Sequence, residues 1–374
     1  MKHSKIIILV ALSLCLLGFD LRAQITSFGK MLTGGIDDAG KLFEGYFTPA
    51  VNAFGANLNG GWYNTAKPHK LGGFDLTLTI NTAFIPDVDQ TFDLNDYNLY
   101  GQYNATESLV PTVAGETEDG TEITYNQTVG ATEYPVASFN SPQGAGLRFL
   151  PAPMIQVGIG LIKETEIIGR FLPTINFKHG DYNVGLWGVG LKHSLKQWIP
   201  AINKIPFFNL SVQGGYTKFK SNAAIQLLPG DLTFGSTTVY DMTNGAYSWD
   251  DQNLSLVSKA FTANIIVSAD LPIVTFYGGL GFATTKTNLA VTGYYPLPTI
   301  QDNPAEQHFL EPVVNASSVV QDPLDLEIKN SDGGTTKPRY NIGVRLKLAV
   351  ITIHVDYIYS KYSVVTGGLG ISFR

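Results

Sequence analysis

From Gly72 to Phe84 the residues GGFDLTLTINTAF alternate strictly. Phe74, Leu76, Leu78 and Ile80 fall on one face and Asp75, Thr77, Thr79 and Asn81 on the other, the period of a strand with one apolar and one polar side. The pattern recurs with Phe208, Leu210 and Val212 against Asn209, Ser211 and Gln213, and with Phe261, Ala263, Ile265 and Val267 against Thr262, Asn264 and Ser268. It is clearest in PRYNIGVRLKL, where Tyr340, Ile342, Val344, Leu346 and Leu348 oppose Arg339, Asn341, Arg345 and Lys347. Segments 153–161, 165–177, 182–194, 273–285, 350–359 and 363–373 bring the candidates to ten, most of them 9 to 15 residues long. Soluble sheets use strands of about five or six residues, whereas a tilted strand crossing a bilayer needs about ten.

Alternation alone fits a soluble sandwich as well as a membrane barrel. Three further features favour the barrel. Val365, Gly367, Leu369, Ile371 and Phe373 alternate to the penultimate residue, which resembles the C-terminal signal of bacterial outer-membrane barrels, with Arg374 following where such chains end on the aromatic. Tyr294 and Tyr295, Tyr357 and Tyr359, Trp187 and Trp198 sit at or near strand ends, where interfacial girdles belong. Long stretches at 86–150, 220–258 and 296–337 contrast with short connections such as Lys163-Glu164 and Leu271-Pro272. With both barrel ends in the periplasm, alternating strand direction puts all three long loops outside the cell. That assignment needs 273–295 to be one outward-running strand, with a bulge near Lys286 to Asn288 where the polarity pattern breaks.

Ahead of the strands the period changes. Ile36, Ala39, Phe43, Phe47, Ala50, Val51, Phe54 and Leu58 recur at helical spacing. Asp37 and Asp38 suit the helix start, and Pro49 is expected to split the helix in two. Such a segment either lies in the inner interface or folds into the lumen as a plug, the expectation adopted here, with Ile36, Phe43, Phe47 and Phe54 as its apolar anchors. Gly55, Gly60 and Gly61 would let the chain turn tightly back to the wall. Earlier still, Lys2, His3 and Lys5, an apolar run from Ile6 to Phe19, and Leu21-Arg22-Ala23 predict an export signal cleaved after Ala23. A second amphipathic piece, 196–207, reads either as a periplasmic interface segment with Trp198, Ile199 and Ile202 in the headgroups or as a plain long turn.

Composition sharpens the picture. Charged residues make up 15% of the 374 residues, well below the roughly 25% of soluble domains. High apolar content excludes disorder, and a net charge of -6 excludes a generally basic nucleic-acid binder. The lone Cys15 lies in the export signal, so the mature chain has no thiol chemistry or disulfides. Removing the signal leaves 22 bases and 30 acids, and 21 of those acids but only 4 of the bases fall in the three long loops. The outer end is therefore acidic and the barrel basic. Asp93, Asp96, Glu116, Glu118 and Asp119 suggest a divalent-cation cluster between lipopolysaccharide phosphates, although a solvated acidic surface explains them as well.

Reaction chemistry is absent from the pattern. GIDDAGKL at 35–42 nearly matches a phosphate-binding loop, but Leu42 replaces its Ser or Thr and no strand precedes it. His354 and Asp356 share a predicted lumen face, without a serine at any recognisable spacing, so a structural polar ladder with Arg345 opposite His354 is the better reading. No catalytic residue, metal or cofactor is expected. The basic lumen residues Arg339, Arg345 and Lys347, with His354, would suit an amphipathic anion whose carboxylate needs Arg. Alternatively they pair with plug carboxylates such as Asp37, Asp38 or Glu44.

Signal, a Gly/Phe-rich helical segment of about 40 residues, then long strands ending in an aromatic: this order resembles the outer-membrane long-chain fatty-acid transporter superfamily. FGANLNGGWYNTAKPHKLGGFDLTLTINTAFIP, from Phe54 onward, is also similar to the opening of uncharacterised outer-membrane proteins of that broad group. The resemblance implies fourteen strands, an N-terminal hatch and a lateral hydrophobic ligand path; two to four strands would then lie within 57–66, 88–103, 225–240 or 324–329. The sequence thus predicts an all-β transmembrane antiparallel β-barrel of ten legible strands, twelve to fourteen with those implied. Its expected parts are a signal at 1–23, a helical plug at 24–58 and a barrel at 59–374. The expected role is a plugged channel for small hydrophobic or amphipathic molecules in the outer membrane of a Gram-negative cell; the alternative is a non-transporting structural or secretion-associated interaction protein. Expected partners are outer-membrane lipid and lipopolysaccharide, the barrel-assembly machinery and a hydrophobic small-molecule ligand, with no nucleic acid.

Overall fold

The computed structural model describes residues 31–32, 35–117, 120–177, 182–225, 227–234, 237–329 and 337–373. The export signal at 1–23 and two members of the acidic cluster, Glu118 and Asp119, lie outside the described residues. A helix, α1 (Ile36–Asn59), precedes ten long strands. These are β1 (Phe74–Phe84), β2 (Phe149–Leu161), β3 (Thr165–Phe177), β4 (Tyr182–Ser194), β5 (Phe208–Ala224), β6 (Asn253–Asp270), β7 (Val274–Thr292), β8 (Lys337–Leu348), β9 (Ile351–Tyr359) and β10 (Val364–Phe373). Each pairs antiparallel with its neighbours in sequence, and β10 returns to β1 in a register running from Phe74↔Phe373 to Ala83↔Val364. The ring closes without a free edge, which lets strands cross lipid with every backbone group paired.

Ten strands complete the wall, so the count of twelve to fourteen that the resemblance implied is corrected. β6 and β7 bond to each other along their full length, leaving no place between them for another strand. Residues 57–66 continue the plug, 88–103 and 225–240 form short pieces outside the ring, and Leu324–Lys329 pairs only with the outer end of β7.

The wall is inside out relative to a soluble protein. Along β1, Leu76 is 44% and Ile80 46% exposed, while Thr77 and Asn81 are at most 1%. Similar rows of Ile155, Val157 and Ile159, of Phe261, Ile265 and Val267, and of Ile351, Ile353 and Val355 face outward on other strands. A continuous apolar surface of this extent is stable only against lipid. No helix among the described residues is long and apolar enough to cross a membrane; the strands make the crossing. Accordingly Leu78→Arg, in mid-belt, is expected to destabilise the liposome-reconstituted protein by about 2–4 kcal/mol in urea unfolding. A neutral result would mean that water, not lipid, covers this face.

The links β2–β3, β4–β5, β6–β7 and β8–β9 lie at one end, and all three long loops lie at the other together with the short links β3–β4 and β9–β10, as the alternating directions required. β7 runs the whole distance without the expected bulge, its pairing with β6 unbroken from Thr275 to Thr292. What changes near Lys286 is the environment. Nearer the membrane Phe276, Leu280 and Phe282 point out against inward Thr275 and Tyr277; further out Lys286 points to water and Leu289 and Val291 turn inward, buried. The polarity inverts because the strand leaves the lipid and acquires an apolar core inside it. That core belongs to a folded dome built by the long loops, where Leu94, Val110, Ile123, Tyr125, Phe139 and Leu227 pack around one end of α1. At the opposite rim 196–207 forms a 3-10 turn and a four-residue helix with Trp198 exposed. Lys196 donates to the carbonyls of Ile205 and Phe208, stapling this connection rather than reaching outward.

Candidate functional site

The lumen is the candidate site, and α1 fills it. This helix begins in the dome, where Ala39, Leu42 and Phe43 are buried, and descends to Asn59 at mid-barrel. From there Trp62, Tyr63, Ala66 and His69 continue inside the lumen to the inner rim, where β1 starts. Pro49 does not split the helix, which is continuous over 24 residues. One residue beyond Gly45, whose carbonyl Pro49 cannot serve, the Tyr46 carbonyl accepts from the Val113 N–H at 3.1 Å and ties this turn of the helix to a dome loop. Of the three glycines expected to aid the turn, Gly61 alone takes a positive φ, 67°; Gly55 lies within the helix.

The four apolar residues named as anchors all lie on α1. Ile36 is half-buried, Phe43 is in the dome core with Phe47 against it, and Phe54 packs edge-on against Phe219 of β5 at 4.6 Å. Asp38, buried in the first turn, accepts from the backbone N–H groups of Tyr100 and Gly101 at 2.6 and 2.8 Å. It ties a dome loop to the helix start and does not meet a lumen base; Asp37 and Glu44 are exposed. Nearby, burial and the Asp38 carboxylate push the Tyr125 hydroxyl well above the usual tyrosine range, so it stays neutral in the dome core. The near phosphate loop at 35–42 is simply the helix start, with Lys41 over the Tyr100 ring at 3.6 Å.

Two arginines grip the other end. Buried Arg170 of β3 donates to the carbonyls of Leu58 and Gly60 at 2.9 and 2.6 Å and to Gln156 Oε1 at 3.0 Å, and its guanidinium stacks on Trp62 at 3.7 Å. Arg339 of β8 donates to the Asn59 carbonyl at 2.7 Å. The last carbonyls of a helix have no intrahelical donors and carry the negative end of its dipole. Of the lumen bases named from the sequence, Arg339 therefore holds a plug carbonyl and not one of the plug carboxylates offered as an alternative. Asn59 completes the join with a bond to Thr285 Oγ1 at 3.1 Å, and Asn81 donates to the Asn57 carbonyl at 2.8 Å. Trp62 needs a slot in the wall, which Gly190 and Gly215 supply: a Cβ there would stand 2.6 or 2.5 Å from the indole.

At the inner rim a buried polar cluster locks the plug's last residues. His69 sits with Nδ1 2.8 Å and its backbone N 2.9 Å from Glu166 Oε2, and with Nε2 3.1 Å from Ser372 Oγ. The Lys192 ammonium lies 3.0 Å from Glu166 Oε1. His69, Asp75 and Glu166 converge within 4.8 Å, a grouping able to ligate a metal, but Lys192 already supplies a cation to it. On the other side Thr65 donates to Asp270 at 2.8 Å and the Ala66 N–H to Ser268 at 3.1 Å.

The remaining predicted lumen residues lie on β8 and β9. Arg345 lies directly opposite His354, both buried, and Asp356 accepts from Tyr277 at 3.0 Å and Asn341 at 2.8 Å. Lys347 is half-buried near the inner rim. Arg339 thus joins the plug, while Arg345 and His354 pair on the wall. Sequence reasoning missed Arg170, Glu166, Lys192, His69 and Trp62. The signal was available for three of them: Glu166, Arg170 and Lys192 are the charged residues on the inward phase of two otherwise apolar or glycine-rich strands. The apolar crevice lined by Leu42, Tyr46, Phe92 and Val110 beneath the dome has no room for a water-sized molecule.

Among solved structures the chain is similar to the translocator domain of autotransporter NalP from Neisseria meningitidis, at 9% identity over 87% of this chain and 93% of that one, TM-score 0.30. It is similar also to the transport unit of the autotransporter AIDA-I from Escherichia coli, at 10% identity over 87% and 99%, TM-score 0.30. A third is the Ralstonia pickettii toluene transporter TbuX, at 7% identity over 81% and 90%, TM-score 0.23. No curated protein matches the chain. Residues 1–373 match a family described as a family of unknown function (DUF6588), and the chain belongs to that family.

Proposed function

We propose that the protein is an outer-membrane β-barrel, closed at rest, whose work is done by the acidic dome it holds outside the cell. One observation carries this reading: the upper half of α1 belongs to the dome's hydrophobic core through Ala39, Leu42 and Phe43. Each large apolar side chain of that kind contributes about 1.5–3 kcal/mol by burial, so the plug cannot slide without opening the dome. Closed barrel, fixed plug and dome then act as one rigid display of an acidic surface, suited to a basic partner. Replacing residues 86–148 by a short turn should abolish capture of that partner by whole cells.

A second reading is favoured by the lower plug. Below Leu58 the insert is held by apolar packing of Trp62, Tyr63 and Ala66 on Ile168, Ile266 and Tyr277 and by hydrogen bonds to Arg170, Arg339, Glu166 and Asp270, which water or a carboxylate can replace. A fatty acid or similar amphipathic anion could pass if this part shifted, with Arg339, Arg345, Lys347 and His354 along its route. The cysteine-free mature chain allows a direct test. A Cβ at Gly55 would lie 2.9 Å from Thr285 Cβ, about 1 Å inside the spacing of a disulfide, so Gly55→Cys with Thr285→Cys should fasten plug to wall once this contact eases by about that distance. For the closed display, planar-bilayer conductance and liposome uptake of a labelled fatty acid stay at background, oxidised or reduced. Uptake that appears on reduction and vanishes on oxidation would reject it in favour of the gated channel.

A further inference from the structure

We infer that the outward face shared by β5, β6, β7 and the Leu324–Lys329 strand binds the phosphate groups of outer-leaflet lipopolysaccharide. This rests on the outer-membrane reading above. The register places Lys218 opposite Lys259, Lys259 opposite Lys286, and Lys286 opposite Lys329, so four lysines stand side by side across four adjacent strands. Lys220 lies one outward position further along β5. At a strand spacing of about 4.8 Å the row spans roughly 15 Å.

Like charges placed directly opposite one another destabilise a sheet, and the fold does little to neutralise these. Glu327 lies 3.0 Å from Lys329 and 3.7 Å from Lys286. Lys218, Lys220 and Lys259 have no acidic partner among the described residues. The height of the row is equally telling. Two residues toward the membrane stand Tyr216 and Phe261, opposite each other, with Trp187 packed on Tyr216 at 5.5 Å. Aromatics of this kind mark the lipid interface, so the ammonium groups lie just beyond it, at headgroup level, on the side of the long loops. Those loops carry 21 of the 30 acids of the mature chain and would repel phosphate elsewhere around the rim. An anionic lipid bearing more than one phosphate bridges neighbouring lysines and removes their repulsion; the acyl chains then lie on Phe261, Ile265 and Phe282 below.

The full-length protein, purified in detergent, is titrated with bisphosphorylated lipid A, with the same lipid dephosphorylated, and with phosphatidylglycerol, and bound lipid is counted by native mass spectrometry. Bisphosphorylated lipid A should bind at least tenfold more tightly than either of the others. Lys218→Gln, Lys259→Gln and Lys286→Gln together should abolish that margin, while the charge-matched inner-rim set Lys70→Gln, Lys163→Gln and Lys204→Gln keeps it. Should the outer triple variant not fold, Lys259→Gln alone should lose about threefold and Lys259→Arg recover it. Equal binding of the three lipids, or equal loss in both variant sets, overturns the site. Membrane fractionation separates this from the reading beneath it: protein found in the outer membrane with unchanged lipid A binding rejects the lysine row only, whereas protein found elsewhere rejects the location.

Discussion

Arg170→Ala is expected to lower the unfolding free energy in detergent micelles by about 3–5 kcal/mol, from three lost charge-assisted hydrogen bonds and the cavity left behind. The guanidinium is 2% exposed and holds three partners: two carbonyls at the end of α1 and the Gln156 side chain. Bonds from a charged donor contribute about 1.5–3 kcal/mol each, and truncation leaves their acceptors buried without a donor. The void beside Trp62 adds to the loss. Arg170→Lys should recover less than half of it, because an ammonium cannot reproduce the fork that spans two carbonyls and stacks on an indole. Limited proteolysis supplies a second readout, with cleavage after Leu58 rising while the barrel core resists. Unchanged stability in Arg170→Ala would mean that the plug is secured from the dome alone.

The barrel was legible in the sequence because each strand touches lipid on one side and polar lumen on the other, so period-two alternation survives intact through β1, β8 and β10. Where a strand left those surroundings the pattern misled. Lys286 to Asn288 looked like a slipped register, but parity holds and it is the neighbours that change, lipid giving way to water outside and dome core replacing polar lumen within. Pro49 misled in a similar way. A proline ends a helix when nothing else supports it, and here the dome and the wall hold both halves in line. The pairing of Arg345 with His354 was legible because hairpin register follows from a short turn. The grip of Arg170 and Arg339 on plug carbonyls was not, since backbone acceptors leave no mark in a sequence and the contacts link residues more than one hundred positions apart. Side-chain chemistry alone pointed to Asp37, Asp38 and Glu44, but Asp38 is held in the dome and the other two are exposed, which leaves the helix terminus as the acceptor within reach of the lumen arginines.

At the inner rim Glu166→Gln should cost about 3 kcal/mol or more, because it leaves the Lys192 ammonium buried without its nearest counter-charge. Lys192 is 3% exposed and 3.0 Å from Glu166. The same carboxylate receives the His69 backbone N–H, so the substitution loosens the join between plug and wall as well as the ion pair. Asp75 stands in the same cluster and retains part of the compensation, which keeps the loss near the lower end of the range for a broken buried pair. Glu166→Gln with Lys192→Met removes both charges and should restore much of the stability, a coupling that a double-mutant cycle in urea unfolding reads directly. A purely additive cycle would deny the pair its role. The two arms of the plug also separate by position: Glu166→Gln should expose residues 65–72 to protease from the inner side while Leu58 stays protected by Arg170, the reverse of the pattern expected for Arg170→Ala. If both variants opened the same bonds, the plug would release as one unit, and the hydrogen-bonded lower segment would lose its claim to move independently of the dome.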